Sequence, residues 1–333
     1  MASANSKIKI GVVGLGKMGI MHACLLNVVP NVEVRGLCDK SRLIRTVAKN
    51  AYKGVTVTDS LQKFAPLNLD AIYVLTPIPS HYALIKEIYA TNLAKNVFVE
   101  KTLTSKYSHS EELAKLSEKA GGVNMVGYMK RFGVTFNKAK ALLEQQVIGE
   151  LSSFNAYAFS SDFASIPEGS TAPNARGGVI EDLGSHVVDL AVWLFGDLKV
   201  TYAQANSPLT VGSLDDVTFG VAGVDGLNGT FEVSWRKNDY RMPEFGLTIH
   251  GKKGTLHAND DEVRLELNGT EPTRLYRHDM NDNVDYFLGG AEYWREDKHF
   301  IDSIISGQTP QTNFQCTLAV DSLLEQVRHK FNG

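Results

Sequence analysis

The feature that most constrains this chain is a glycine-rich turn set between two elements of different period. KIKIGVV, Lys7 to Val13, reads as a buried strand, and Lys17–Val29 has helical spacing that stops at Pro30. Between them runs GLGKMG, Gly14 to Gly19, which fits G-x-G-x-x-G. Glycine is common, so the pattern alone says little. Here it follows a strand, opens a helix, and has Asp39 20 residues beyond Gly19 at the end of a second strand, which makes it specific for dinucleotide binding. Gly14 permits the tight turn, Gly16 lets the backbone approach a pyrophosphate, and Gly19 lets helix and strand pack closely. The helix begun by Lys17 and Met18 supplies amides and partial positive charge for phosphates. Asp39 is placed to accept from the adenosine ribose, and its charge repels a 2′-phosphate, which favours NAD. Lys40, Ser41 and Arg42 follow and would hold that phosphate if the loop turned inward, so NADP stays the alternative.

The alternation continues. Strands are expected at Glu33–Cys38, Val55–Thr58, Asp70–Leu75, Asn96–Glu100 and Val123–Val126, with helices at Ser41–Asn50, Asp59–Phe64, Ser80–Asn92 and Ser105–Lys119. Strands alternating with helices argue for a doubly wound parallel sheet over residues 1–128. After Tyr128 the pattern changes. A helix near Val134–Val147 precedes an alternating strand, Glu150–Phe159, and a further helix ends near Phe195. Strand-like runs then follow at Lys199–Ala205, Asp216–Val221, Gly229–Trp235, Phe245–Gly251, Gly254–Ala258 and Val263–Leu267, and helices near Ala291–Ser306 and Gln315–Phe331 close the chain. Residues 129–333 therefore read as an α+β domain with a large, mostly antiparallel open sheet.

Two segments after strands of the first domain carry chemistry. TPIPSH, Thr76 to His81, lies at the carboxyl end of a strand, where open parallel sheets bind ligands; Pro77 and Pro79 stiffen it and Ser80 suits a helix cap. A plain capped loop fits the local sequence equally. VFVEKT, Val97 to Thr102, is a buried strand ending in opposite charges, Glu100 and Lys101. At that edge Lys101 is expected to hold a substrate hydroxyl; a surface ion pair is the bland alternative.

GGVIEDLGSHVVDL, Gly177 to Leu190, concentrates three carboxylates and one histidine within nine positions. Asp182, His186 and Asp189 are spaced four and three apart, roughly one face of a helix or of a turn running into one. Asp182 is expected to accept from one ring nitrogen of His186 while the other faces a substrate hydroxyl, the geometry of a general base. A satisfied structural pair and a zinc or iron site compete with that reading; a lysine in the same crevice argues against a cation, so no metal is expected. Asn174 and Arg176 just precede this segment and are candidates for a hydroxylated or anionic substrate. Trp235, Arg236, Tyr240 and Arg241 form an aromatic and basic cluster, read first as a sheet-surface ladder or subunit contact.

Taken in order, GLGKMG, Asp39, TPIPSH, VEKT, GYMKRF and EDLGSHVVD resemble the glucose–fructose oxidoreductase / inositol dehydrogenase / MocA-type (Gfo/Idh/MocA) family, from Lys7 to about Leu194. The resemblance implies a Rossmann domain, a catalytic group of Lys101, Asp182 and His186, a cofactor lined by Pro77, His81, Glu100 and Tyr128, and Arg131 beside the substrate. It also implies sugars, polyols or nucleotide sugars as substrates, and a homodimer or homotetramer through the second-domain sheet. Two positions depart from the family pattern: Thr102 stands where proline is usual, and Ile78 where asparagine is common.

Composition narrows the partners. A formal charge of -3 over 333 residues leaves no broad basic surface for nucleic acid. No apolar run approaches a signal core or a membrane span, and three widely spaced cysteines suit a reducing compartment, so a cytoplasmic protein is expected. The leading expectation is an NAD-dependent dehydrogenase of a sugar-like secondary alcohol, with Lys101 positioning the hydroxyl and His186 taking its proton. The alternatives are a retained-cofactor enzyme that cleaves a glycosidic bond or passes hydride between sugars, and a non-catalytic dinucleotide or sugar sensor.

Overall fold

The computed structural model describes residues 7–165, 176–206 and 214–332. Its first sheet contains β1 (Ile8–Val13), β2 (Val32–Cys38), β3 (Thr56–Thr58), β4 (Ala71–Val74), β5 (Asn96–Glu100) and β6 (Asn124–Gly127). All adjacent pairs are parallel, in the order β3-β2-β1-β4-β5-β6. Helices α1 (Lys17–Leu26), α2 (Arg42–Ala51), α3 (His81–Ala90) and α4 (Tyr107–Ala120) make the crossovers. β4 is apolar and β5 is apolar at its centre, Val97–Val99, and both are buried almost throughout, as strands covered on both faces must be. The strand order reverses beside β1, and the carboxyl ends of β1 and β4, paired through Val13 and Val74, border the switch point where such sheets bind ligands.

Two local differences from the sequence reading have physical causes. The helix expected at Asp59–Phe64 is a 3₁₀ segment, Leu61–Leu67, and the Pro66 inside it lacks the amide an α-helix needs. Ser80 does not cap α3 with its side chain; its hydroxyl turns back to Thr76 Oγ1 and the Pro77 carbonyl, both at 2.7 Å. Ser41, in contrast, caps α2 by accepting from the Ile44 amide.

The second sheet has eight strands: β7 (Leu151–Phe159), β8 (Lys199–Ala205), β9 (Asp216–Ala222), β10 (Asn228–Ser234), β11 (Glu244–Gly251), β12 (Gly254–Asn259), β13 (Glu262–Leu267) and β14 (Thr273–Tyr276). Their order is β14-β13-β12-β11-β7-β10-β9-β8, antiparallel except where β7 meets β10. α5 (Val134–Glu144) packs on β12 and β13, and α6 (Ser185–Phe195) on β7 and β11. Val217, Phe219, Phe231, Val233, Leu247 and Ile249 fill the core beneath these helices, at alternate positions along their strands.

The chain divides into two compact units, one of residues 1–129 with 284–321 and the other of residues 130–283 with 322–333. The first unit's opening stretch ends at Met129. The later part differs from the 129–333 reading: α7 (Ala291–Ser306) and the start of α8 (Phe314–Asn332) belong with the first unit. The reason is packing. Phe300 sits against Tyr73 and Phe98, the Phe314 amide donates to Asn124, and the Ser110 hydroxyl donates to Asp321.

Candidate active site

In the first unit the glycine-rich turn has the geometry its sequence implies. Gly14 has φ +91°, a conformation side chains rarely adopt, and a Cβ there would lie 2.7 Å from the Leu75 carbonyl. A Cβ on Gly19 would lie 1.8 Å from the Gly14 carbonyl, so only glycine lets α1 approach the turn. A Cβ on Gly16 would meet nothing within 4 Å. Gly16 is also the N-cap of α1 and supplies no side-chain cap, so the helix amides are open to an acceptor. Open space at Gly16 and uncapped amides are what a pyrophosphate needs, and the cofactor fits this turn.

Asp39 ends β2 beside it. One carboxylate oxygen accepts from the Leu15 amide at 2.8 Å and the other from the Ser41 amide at 2.7 Å. Each oxygen keeps capacity for a further donor, which suits a ribose hydroxyl. Lys17, Lys40 and Arg42 are exposed and Met18 is half-buried. Arg45, which sequence reasoning passed over, donates to the carbonyls of Asp39 and Lys40 and so fixes the loop after β2.

The strand ends behind the turn hold Lys101. Its amide donates to Glu100 Oε2 at 3.1 Å. Thr102, in place of the expected proline, is buried, its peptide with Lys101 is cis, and its hydroxyl donates to the Thr104 carbonyl. His81 is fully buried, with its ring nitrogens 3.0 Å from the Thr102 carbonyl and 2.7 Å from the Thr76 carbonyl. Burial pushes the His81 pKa down, and those carbonyls offset part of that cost. His81 thus joins the loop after β4 to the loop after β5. Pro77 is exposed, Thr76 half-buried, and Tyr128 fully buried.

In the second unit, residues 180–184 form one π-helical turn that runs directly into α6. Wider turns of this kind concentrate at functional sites. The clustered carboxylates each meet an arginine. Arg328 reaches Glu181 at 2.7 Å, Arg176 reaches Asp182 at 3.0 Å and Asp162 at 2.5 Å, and Arg131 grips Asp189. The charge in GGVIEDLGSHVVDL is therefore compensated, which explains how an otherwise apolar helix start carries it. Arg131, expected beside the substrate, is buried against Asp189 and holds α6 in place. Asn174 lies outside the described residues.

His186 is 5% exposed, and its ring meets Phe245 edge-on at 5.0 Å. Lys130 lies over the same Phe245 ring at 4.8 Å and pairs with Asp260 at 2.6 Å, while the Phe245 amide donates to the other Asp260 oxygen. Sequence reasoning missed Lys130, Phe245 and Asp260; the adjacent charges of GYMKRF were the only local signal. Trp235 is buried with Phe163 against it, Arg236 approaches Asp215 at 3.5 Å, and Tyr240 packs on Phe159. Among the described residues no group of three or more His, Cys, Asp or Glu is arranged to hold a metal ion, and no helix is long and apolar enough to cross a membrane.

Residues 8–128 match an oxidoreductase family with an NAD-binding Rossmann fold, and residues 136–257 match the GFO/IDH/MocA C-terminal domain. The chain belongs to the GFO/IDH/MocA oxidoreductase family. A myo-inositol 2-dehydrogenase of Thermotoga maritima is 24% identical over 314 residues, 91% of this chain and 90% of that protein. An uncharacterised oxidoreductase of Schizosaccharomyces pombe is 28% identical over 212 residues, 62% of this chain and 57% of that protein. The fold is shared with the WlbA dehydrogenase of Bordetella pertussis, solved with NADH and UDP-GlcNAcA: TM-score 0.83 at 20% identity, covering 98% of this chain and 96% of that one.

Proposed function

We propose that this member of the family oxidises a secondary alcohol of a sugar, polyol or nucleotide sugar with NAD, or runs the reverse reduction. The observation that carries the reading is His186, buried at the start of α6 among carboxylates that arginines compensate. Within that segment the imidazole is the group whose proton moves most readily near neutral pH. His186 takes the hydroxyl proton as the alcohol is oxidised and returns it in the reverse direction. Asp182, four residues earlier and anchored by Arg176, supports the positive charge His186 acquires. Lys101 donates to the substrate oxygen and fixes its orientation. The turn at Gly14–Gly19 and Asp39 hold NAD, which when bound supplies the acceptor for the hydride. Arg176, bridging two aspartates, leaves little net charge to attract an anion, which supports a neutral hydroxylated substrate face. We also propose association into a homodimer or homotetramer through the eight-stranded sheet.

The test follows nicotinamide reduction across sugars, polyols and nucleotide sugars, with NAD and NADP in parallel. Reduction confined to one class, stronger with NAD, is expected. Tight binding of NADH with no reduction on any member would turn the reading towards a retained cofactor or a sensor.

A further inference from the structure

α1, β5 and α7 bring together a second histidine–carboxylate group that the proposed chemistry does not use. His22 is fully buried in the first unit. Its Nδ1 donates to Asp297 Oδ1 at 2.9 Å and its Nε2 to Glu100 Oε1 at 3.2 Å. The other Glu100 oxygen accepts the Lys101 amide. A continuous path therefore runs from Asp297 through His22 and Glu100 to the backbone of Lys101.

Carboxylates only accept when ionised, so both ring nitrogens must donate and the ring is an imidazolium. Burial opposes that charge, but Asp297 and then Glu100 outweigh it, and the His22 pKa stands well above its usual value. Glu296 and Glu292 of α7 also face this group; burial raises the Glu296 pKa, and neither of its carboxyl oxygens has a protein hydrogen-bond partner. Tyr73, Phe98 and Tyr293 surround the ring. Such a pocket would be filled more cheaply by an aromatic side chain than by a buried ion group, so the polarity points to a task other than packing.

We propose that His22 and Asp297 are positioning residues for Lys101: Asp297 holds the imidazole, the imidazole pins Glu100, and Glu100 fixes the amide from which the lysine side chain is aimed. His81 and Thr104 restrain Thr102 on the other side. The inference rests on the role given to Lys101 above.

The test compares His22→Gln with His22→Phe. Glutamine keeps a donor towards Glu100, whereas phenylalanine keeps the ring packing and loses the donor. Turnover, NADH binding by fluorescence, and the ¹H–¹⁵N signal of the Lys101 amide (assigned with Lys101→Arg) are read on each. With His22→Phe we expect kcat to fall about 10-fold to 100-fold, the size of effect a small misplacement produces, with NADH binding retained and the Lys101 amide signal displaced. His22→Gln should recover most of both. Phenylalanine matching or exceeding glutamine in turnover, or an unmoved Lys101 amide in His22→Phe, would overturn the proposal. If His22→Phe does not fold, Asp297→Asn against Asp297→Leu makes the same comparison, asparagine keeping the acceptor. If Lys101→Ala keeps full turnover, the reading of the reaction fails, while the amide signal still decides whether His22 positions this backbone.

Discussion

Arg131 holds Asp189 through two hydrogen bonds, Nε to Oδ2 at 2.9 Å and Nη2 to Oδ1 at 2.6 Å, with the two side chains 4% and 1% exposed. Burial raises the Asp189 pKa and the guanidinium lowers it again. Removing one partner leaves a buried charge uncompensated, at a cost of about 3–5 kcal/mol. Arg131→Met should therefore destabilise strongly, and adding Asp189→Leu should restore most of the loss. Urea denaturation of the single and double variants measures this; a neutral single variant would show that the pair does not hold α6.

The second and third glycines of the turn, Gly16 and Gly19, should fail differently. Gly16→Ala meets no atom of the protein within 4 Å, so its melting temperature should match the parent's. It occupies the space proposed for the pyrophosphate, so NADH affinity should fall at least about tenfold, the loss expected for one good hydrogen bond. Gly19→Ala must displace the Gly14 carbonyl and should lower melting itself. Calorimetry and fluorescence titration separate the two effects, and unchanged NADH affinity in Gly16→Ala would remove the turn from the cofactor site.

Asp39 carries the choice of cofactor. Asp39→Asn removes the charge that repels a 2′-phosphate beside Lys40 and Arg42. The preference for NAD over NADP should shrink by about tenfold or more, in line with loss of one charge-assisted hydrogen bond. The ratio of kcat/KM values with the two cofactors checks this; an unchanged ratio would assign the discrimination elsewhere.

The group around His22 predicts a pH dependence of stability. The folded-state pKa of His22 lies above its usual 6.5, and those of Glu296 and Asp297 lie above 4.5 and 3.8. In all three cases the folded chain binds more protons than the unfolded one above those values. Their stabilisation is full on the acid side and is lost as pH rises. The parent should therefore lose more stability between about pH 4.5 and about pH 9 than Glu296→Gln, which stays neutral throughout. Denaturation midpoints at both values decide it, and equal slopes would mean that Glu296 is ionised in the fold.

Local periodicity placed β5 and α7 at their observed bounds, and the glycine turn at its observed position, because each is specified by neighbouring residues. It missed β14, a four-residue edge strand whose exposed Thr273 and Arg274 carry no apolar run. It could not show the π-helical turn, since the four-residue spacing of Asp182 and His186 reads as an ordinary helix. Two of the arginines that compensate the carboxylates lie far away in sequence: Arg131 is 58 residues from Asp189 and Arg328 is 147 from Glu181, whereas Arg176 is six from Asp182. His22 and Asp297 are 275 apart, so only the packing of α7 beside α1 reveals their pairing. The motifs therefore named the candidate chemical groups, while most of the pairings around them emerged only from the tertiary structure.

The central claim is that His186 moves the proton during NAD-dependent oxidation of a sugar-like alcohol. The most direct measurement is the turnover of His186→Asn against the parent on the substrate class that the nicotinamide-reduction panel identifies, with NADH binding measured on the same samples. We expect NADH affinity to be unchanged and kcat to fall about 10²-fold to 10⁴-fold, the contribution of a positioned general base. A variant that binds NADH and keeps most of its turnover would contradict the account.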